Sequence, residues 1–305
     1  MRRLGSCGVA ALVVVAVSPA AAQAPPVFQA SVESVYVDVM ASRGGRPVPG
    51  LNASSFELRD NGVLQAPELV DAESQPLRVV LVFDTSNSLA GERLAALKAA
   101  GNAFLDGLRP EDQAALVSFS EEIAWLAPST SDKATVRRAL ERLEAAGTTA
   151  AFDALYSAIA LSEQGSRPLI VLFTDGADNT SILDARQLVT VVERSNALVH
   201  AVGWREPGAG FRFGGGTTLM TVPNQALAPL RGIAEASGGR FWWADSRAEL
   251  RRAFAAIADA MGHRYVLRYE PQGVKREGWH RIEIRLRGAR GEMQARRGFW
   301  VAPAR

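Results

Sequence analysis

The chain is poor in the residues that carry thiol, redox and imidazole chemistry. Its 305 residues include one cysteine, Cys7, and three histidines, His200, His263 and His280. Cys7 falls within the first two dozen residues, so the remainder has no disulfide, no thiol nucleophile and no cysteine zinc site. His200 lies in an apolar run and His280 in an alternating one, while His263 follows a helical pattern whose end favours a cation. No two of them have metal-ligand spacing, and packing or surface roles account for all three. No GxSxG nucleophile elbow is present. Lysine is as scarce, at Lys98, Lys133 and Lys275. Net charge is low too: removing Arg2 and Arg3 from the 34 basic residues leaves 32, against 32 acidic ones. A balanced chain argues against a nucleic-acid partner.

What is present divides the chain into four. "MRR", the apolar "GVAALVVVAVSPAAA" and small residues at Ala20 and Ala22 predict a cleavable secretory signal over residues 1–24. The product is then expected to be secreted or periplasmic. No later run approaches membrane-spanning length, so no transmembrane span is expected in the mature chain. Residues 25–75 read as β structure: "SVESVYVDVMAS" alternates, and Asn61-Gly62 is a hairpin signal. Residues 263–305 read likewise, with "YVLRYEP", "WHRIEIRLRG" and "MQARRGFWV" as short alternating runs. An isolated hairpin is marginal in water, so the two flanks are expected to pair in one small β-sandwich.

Between them, over residues 76–262, alternation gives way to continuous apolar runs, "VVLVF", "LIVLF" and "ALVHAV". Such runs suit parallel strands covered on both faces. "AALVSFS" and "IAWLA", a "SEE" turn apart, predict an antiparallel hairpin in which Glu121 and Glu122 are a solvated turn. Helical spacing joins Leu94, Leu97, Phe104 and Leu105, then Val136 and Leu140. It recurs in Leu250, Phe254 and Ile257, behind a Ser246–Glu249 capping box. Strands alternating with helices give an α/β class, a doubly wound, mostly parallel six-stranded Rossmann-like sheet. The glycine-rich "EPGAGFRFGGGTTLM" after the fifth strand is expected to be a long loop at the ligand-binding edge.

In open α/β sheets ligands bind beyond the carboxyl ends of the strands, near the switch in strand order. Asp84 ends "VVLVFDTSNS", Asp175 ends "LIVLFTDG", and Thr148 and Thr149 open a helix in "AAGTTAAFDALY". If the first and fourth strands are neighbours, these loops converge. Two carboxylates among hydroxyls form a hard-oxygen set suited to Mg²⁺ or Mn²⁺, which take oxygen ligands at about 2.0–2.2 Å. "DTSNS" alone could equally be an Asp/Ser helix cap.

Residues 78–262 resemble a von Willebrand factor type A (VWA) domain. Asp84-x-Ser86-x-Ser88 matches its DxSxS motif, "GTTAAFDAL" its GGTxxxxA segment and "FTDGADN" its TDG loop. The resemblance implies a metal-ion-dependent adhesion site, with Ser86, Ser88 and Thr149 as hydroxyl ligands and Asp84 and Asp175 binding directly or through water. It implies a protein partner whose acidic side chain completes the ion's coordination. Thr148 stands where the family usually has a second glycine, which leaves open whether Thr148 or Thr149 faces the ion. The flanks are similar to those of secreted bacterial VWFA-related proteins of Acidobacterial type.

An Mg²⁺-dependent phosphatase of haloacid-dehalogenase type would also place an aspartate after a buried strand. That chemistry calls for a second aspartate where Ser86 stands, and for a lysine near the pair. The expectation is therefore a binding protein and not an enzyme, with a structural complex subunit carrying a vestigial site as the other alternative.

Overall fold

The computed structural model describes residues 34–71, 76–162, 167–205, 226–288 and 291–301. The expected signal segment and the glycine-rich 206–220 stretch lie outside the described residues. In chain order the strands are β1 (Val35–Arg43), β2 (Arg46–Pro47), β3 (Phe56–Asp60), β4 (Val63–Gln65), β5 (Glu68–Val70), β6 (Arg78–Asp84), β7 (Gln113–Phe119) and β8 (Ile123–Thr130). There follow β9 (Leu169–Thr174), β10 (Leu198–Trp204), β11 (Phe241–Ala244), β12 (Tyr265–Tyr269), β13 (Gly278–Leu286), β14 (Glu292–Ala295) and β15 (Gly298–Val301). The helices are α1 (Glu92–Asp106), α2 (Lys133–Glu141), α3 (Ala151–Ser162), α4 (Ala185–Arg194), α5 (Ala228–Ser237) and α6 (Arg247–Gly262).

Six strands form the central sheet in the order β11-β10-β9-β6-β7-β8. The sheet is mixed: five strands run parallel, and β8 returns antiparallel to β7. Pro128 lies in β8, at the sheet's edge, where a missing N–H costs no ladder bond. Every residue of β9 and β10 is buried, because helices cover both faces. One face packs Leu97 and Phe104 of α1, Leu140 of α2 and Phe254 of α6 against Phe83 and Phe173. The other packs Leu155 of α3, Leu188 of α4 and Ile233 of α5 against Val82 and Leu172. The chain leaves β6 toward β7 on one side and comes back to β9 on the other. The strand order therefore reverses between β6 and β9, the place at the carboxyl edge where open α/β sheets bind ligands.

The flanking strands form two smaller sheets that interleave both ends of the described chain. β1 pairs with β12 and β14, and β13 pairs with β3 and β15. Val37, Val39 and Leu267 from one sheet share a core with Phe56, Leu58, Ile282 and Phe299 from the other. The Asn61-Gly62 turn has positive φ at both residues, 47° and 82°, the primed conformation that matches strand twist. Asp38 of β1 ties this layer to the central one, its carboxylate meeting Arg167 at 2.9 Å and Arg264 at 3.3 Å.

One polar cluster is sealed inside the sandwich. Both oxygens of Asp60 lie 2.9 Å from Nδ1 of His280, and the Tyr269 hydroxyl donates to Oδ2 at 2.9 Å. His280 also stacks on Phe299. Asp60 comes from the N-terminal flank, and both partners from the C-terminal one. Buried groups of this kind are costly when one partner is removed. Asp60→Ala is expected to lower the unfolding free energy by about 3 kcal/mol or more, and Tyr269→Phe by about 1 kcal/mol, in urea denaturation.

Candidate functional site

Asp84 is the last residue of β6 and is fully buried. Its Oδ1 accepts from the Ser86 backbone N–H at 2.8 Å, and its Oδ2 from the Thr174 hydroxyl at 2.6 Å. Thr174 ends β9, so this carboxylate clasps the tips of the two strands between which the order reverses. The following chain forms a short 3₁₀ turn over residues 87–89, with no side-chain cap from Ser86, and α1 starts behind Gly91, also without one. A helix-capping role for "DTSNS" is thereby ruled out. The serine side chains face each other instead: Ser86 Oγ lies 3.1 Å from Ser88 Oγ, which donates to Asp175 Oδ1 at 2.7 Å.

The threonine loop is tied to the same place by its backbone. Ala146 donates to the Thr85 carbonyl at 2.8 Å, and Asn87 to the Gly147 carbonyl at 3.0 Å. Gly147 takes φ +80°, and a Cβ there would stand 3.0 Å from the Glu121 carboxyl group. The two threonines are then sorted by environment. Thr148 is exposed, its hydroxyl 3.3 Å from Glu121 Oε2 and accepting from Thr180 at 2.9 Å. Thr149 is buried, and its Oγ1 lies 3.6 Å from where a Cβ on Gly176 would project. Its hydroxyl takes part in no hydrogen bond among the described residues, while its N–H and carbonyl are held by Asn179 at 3.1 and 3.0 Å. Glu121 thus contacts the threonine loop in addition to lying on a hairpin turn.

Asp84, Ser86, Ser88 and Asp175 are thus linked in one hydrogen-bonded chain at the carboxyl edge, and Thr149 lies beside Gly176, the neighbour of Asp175. Burial pushes the Asp84 carboxyl up to about 6, against the Thr174 and Ser86 hydrogen bonds that favour its ionised form. Burial likewise raises Asp175, countered by Ser88 and by Arg93. Arg93 Nη1 lies 2.9 Å from Asp175 Oδ2. Two buried carboxylates, clustered hydroxyls and an unspent threonine hydroxyl fit a hard divalent cation. Among the described residues no three His, Cys, Asp or Glu side chains gather to hold a metal, and this cluster itself offers two carboxylates among hydroxyls.

Several contributors carry weak sequence signals or none. Thr174 stands in the TDG motif, but its bond to Asp84 depends on β6 and β9 being neighbours. Arg93 has no motif around it. Asp178 accepts from the Phe152 N–H at 2.8 Å at the start of α3, and Asp153 accepts from Ile182 and Leu183 at 2.8 and 3.0 Å. These bonds pin the 176–184 loop beside the threonine loop. His200 is far from this chemistry: fully buried, it accepts from the Arg240 N–H at 2.9 Å, and burial pushes it down to about 3.

The family model of the von Willebrand factor type A domain matches residues 79–177. That stretch, which runs from β6 to just past Asp175, is thus similar to a VWA domain. A UPF0353 protein of Mycolicibacterium paratuberculosis is 27% identical over 208 residues, which is 62% of this chain and 61% of that protein. Inter-alpha-trypsin inhibitor heavy chain H4 of Bos taurus is 33% identical over 115 residues, 33% of this chain but only 13% of that protein. The chain thus spans less than two thirds of these relatives. Among solved structures, a von Willebrand factor type A protein from Catenulispora acidiphila gives a TM-score of 0.49 at 14% identity, covering 88% of this chain and 74% of that one. Proximal thread matrix protein 1 of the mussel byssus, solved with zinc in its MIDAS motif, gives 0.48 at 17% identity over 63% of this chain and 46% of that one.

The raised Asp84 value has a definite sign in stability. The folded chain holds that proton more tightly than the unfolded chain, so the contribution is full below about pH 4 and is lost as pH rises through about 6. With chelator present, the stability of Asp84→Asn relative to wild type is therefore expected to be higher at pH 7.5 than at pH 4, by about 2 kcal/mol, whatever constant cost the amide adds by losing one acceptor. Urea titrations of both proteins at the two pH values measure that difference.

Proposed function

We propose that this VWA domain is a divalent-ion-dependent protein-binding module of the adhesion type. Ser86, Ser88 and Thr149 would hold the ion through their hydroxyls, and Asp84 and Asp175 directly or through water. The environments of the two threonines support Thr149 over Thr148. Mg²⁺ or Mn²⁺ suits the all-oxygen set. The bound ion would supply a positive centre to which a partner's acidic side chain bridges. The observation that carries this reading is the convergence of three loops on one buried carboxylate–hydroxyl cluster at the sheet's switch point.

Within that scheme the chain's own groups do the positioning. Thr174 and the Ser86 N–H orient Asp84, Ser88 orients Asp175, and Asn179 fixes the backbone of Thr149. Both oxygens of Asp84 are engaged and the side chain is sealed from solvent. That favours binding over the nucleophilic role an Mg²⁺-dependent phosphatase would give it. The predicted leader segment supports a secreted or periplasmic site of action, and the β flanks support a place among secreted bacterial VWFA-related proteins. Arg93, seated on Asp175, favours a second reading: a complex subunit whose vestigial site needs no ion.

Calorimetric titration separates the two. Mature protein is expected to bind Mg²⁺ or Mn²⁺, and Asp84→Ala to give no heat. Thr149→Val should weaken binding about tenfold or more, as loss of one ligand does, and Thr148→Val should leave it nearly unchanged. Equal heats in wild type and Asp84→Ala, or none in either, would favour the vestigial reading.

A further inference from the structure

Arg93 is the second residue of α1, in the first turn of the helix. A cation is disfavoured there, because the helix N-terminus is itself positive. Its compensation comes from the cluster: Nη1 lies 2.9 Å from Asp175 Oδ2 and 3.3 Å from the Ser88 carbonyl. The guanidinium carbon stands 6.0 Å from the centre of the Trp204 ring. The Asp175 side chain is 3% exposed and that of Arg93 25% exposed, so the pair is only partly screened by water or salt. The other oxygen of Asp175 is taken by Ser88. Arg93 and Ser88 together therefore engage both oxygens of a carboxylate on which the ion would draw.

We propose that Arg93 is a tethered rival of the divalent ion, weakening ion affinity by holding a permanent positive charge on Asp175. The inference rests on the metal reading above and adds its regulation. A guanidinium does not lose its proton in a protein, so it cannot yield by neutralising. It can only remain beside the incoming ion, repelling it, or swing away and forfeit its contact with Asp175. Either course costs affinity. The ion then binds firmly only when something else contributes, and a partner carboxylate that adds a ligand and offsets Arg93's charge does so. Ion and partner would thus bind cooperatively, each weakly alone. The competing possibility is that Arg93 merely steadies Asp175 for the ion, and it makes the opposite prediction for a neutral substitution.

The test is Mn²⁺ titration of the mature protein, without any partner, by calorimetry and by the loss of free-Mn²⁺ electron paramagnetic resonance signal. Arg93→Gln removes the charge, and Arg93→Met removes it while keeping an apolar stem near Trp204. Arg93→Lys keeps the charge without the planar fork. Both neutral variants are expected to bind Mn²⁺ about tenfold more tightly than wild type, and Arg93→Lys to stay within about threefold of it. The neutral variants should also melt lower than wild type in chelator and gain more from added Mn²⁺. Wild type that binds Mn²⁺ while the neutral variants bind equally or more weakly overturns the inference and leaves the metal reading standing. Absence of Mn²⁺ binding in wild type and in every variant overturns both.

Discussion

The contact on which the rest turns is the hydrogen bond from the Thr174 hydroxyl to the buried Asp84 carboxylate, 2.6 Å long. It joins the ends of the two strands between which the chain's winding reverses. An ionisable group is tolerated in such a place only if its oxygens are occupied. Thr174 and the Ser86 N–H occupy them, and the chain is thereby bent into the turn that presents Ser86 and Ser88. The polar edge and the apolar sheet are in this sense one construction. Phe83, next to Asp84, packs against Phe173, next to Thr174, on the face where Phe254 completes the core.

The second constraint is that the β layer cannot be assembled from either flank alone. β1 has its partners in β12 and β14, and β3 has one of its partners in β13. The α/β layer lies between the two flanks in sequence, so the chain must bring both ends back together after crossing it. The Asp60–His280–Tyr269 cluster, spanning as many as 220 positions, rewards that return with directional bonds inside an otherwise apolar core. Asp38, with Arg167 and Arg264, joins the layers electrostatically.

Much of this was legible in the residues. Unbroken apolar runs at 79–83 and 169–173 reported burial on both faces, and alternation at 35–41 reported a half-covered strand. The motif residues were legible because their types and spacing match the DxSxS, GGTxxxxA and TDG pattern. What could not be read was set by long-range placement. Position 249 satisfies half of the expected capping box: Ser246 accepts from the Glu249 N–H, but the Glu249 carboxylate reaches the N–H of Asp245. Two-way boxes are found instead at α4, between Asp184 and Gln187, and at the short 3₁₀ turn of residues 53–55, between Asn52 and Ser55. His280 looked like an ordinary strand residue because its partner, Asp60, is remote in sequence. Arg93 carried no signal because a lone arginine on an amphipathic helix is usually a solvated one. Thr149 was preferred to Thr148 on the resemblance alone, and only the fold shows Thr148 exposed and Thr149 buried.

The central claim is that five side chains from three loops make one ion site. An anomalous difference map from crystals grown with Mn²⁺, collected on the absorption edge of manganese, tests it most directly. A single strong peak bounded by Ser86, Ser88, Thr149, Asp84 and Asp175 is the predicted result. A peak elsewhere, or none at this edge of the sheet, would contradict it.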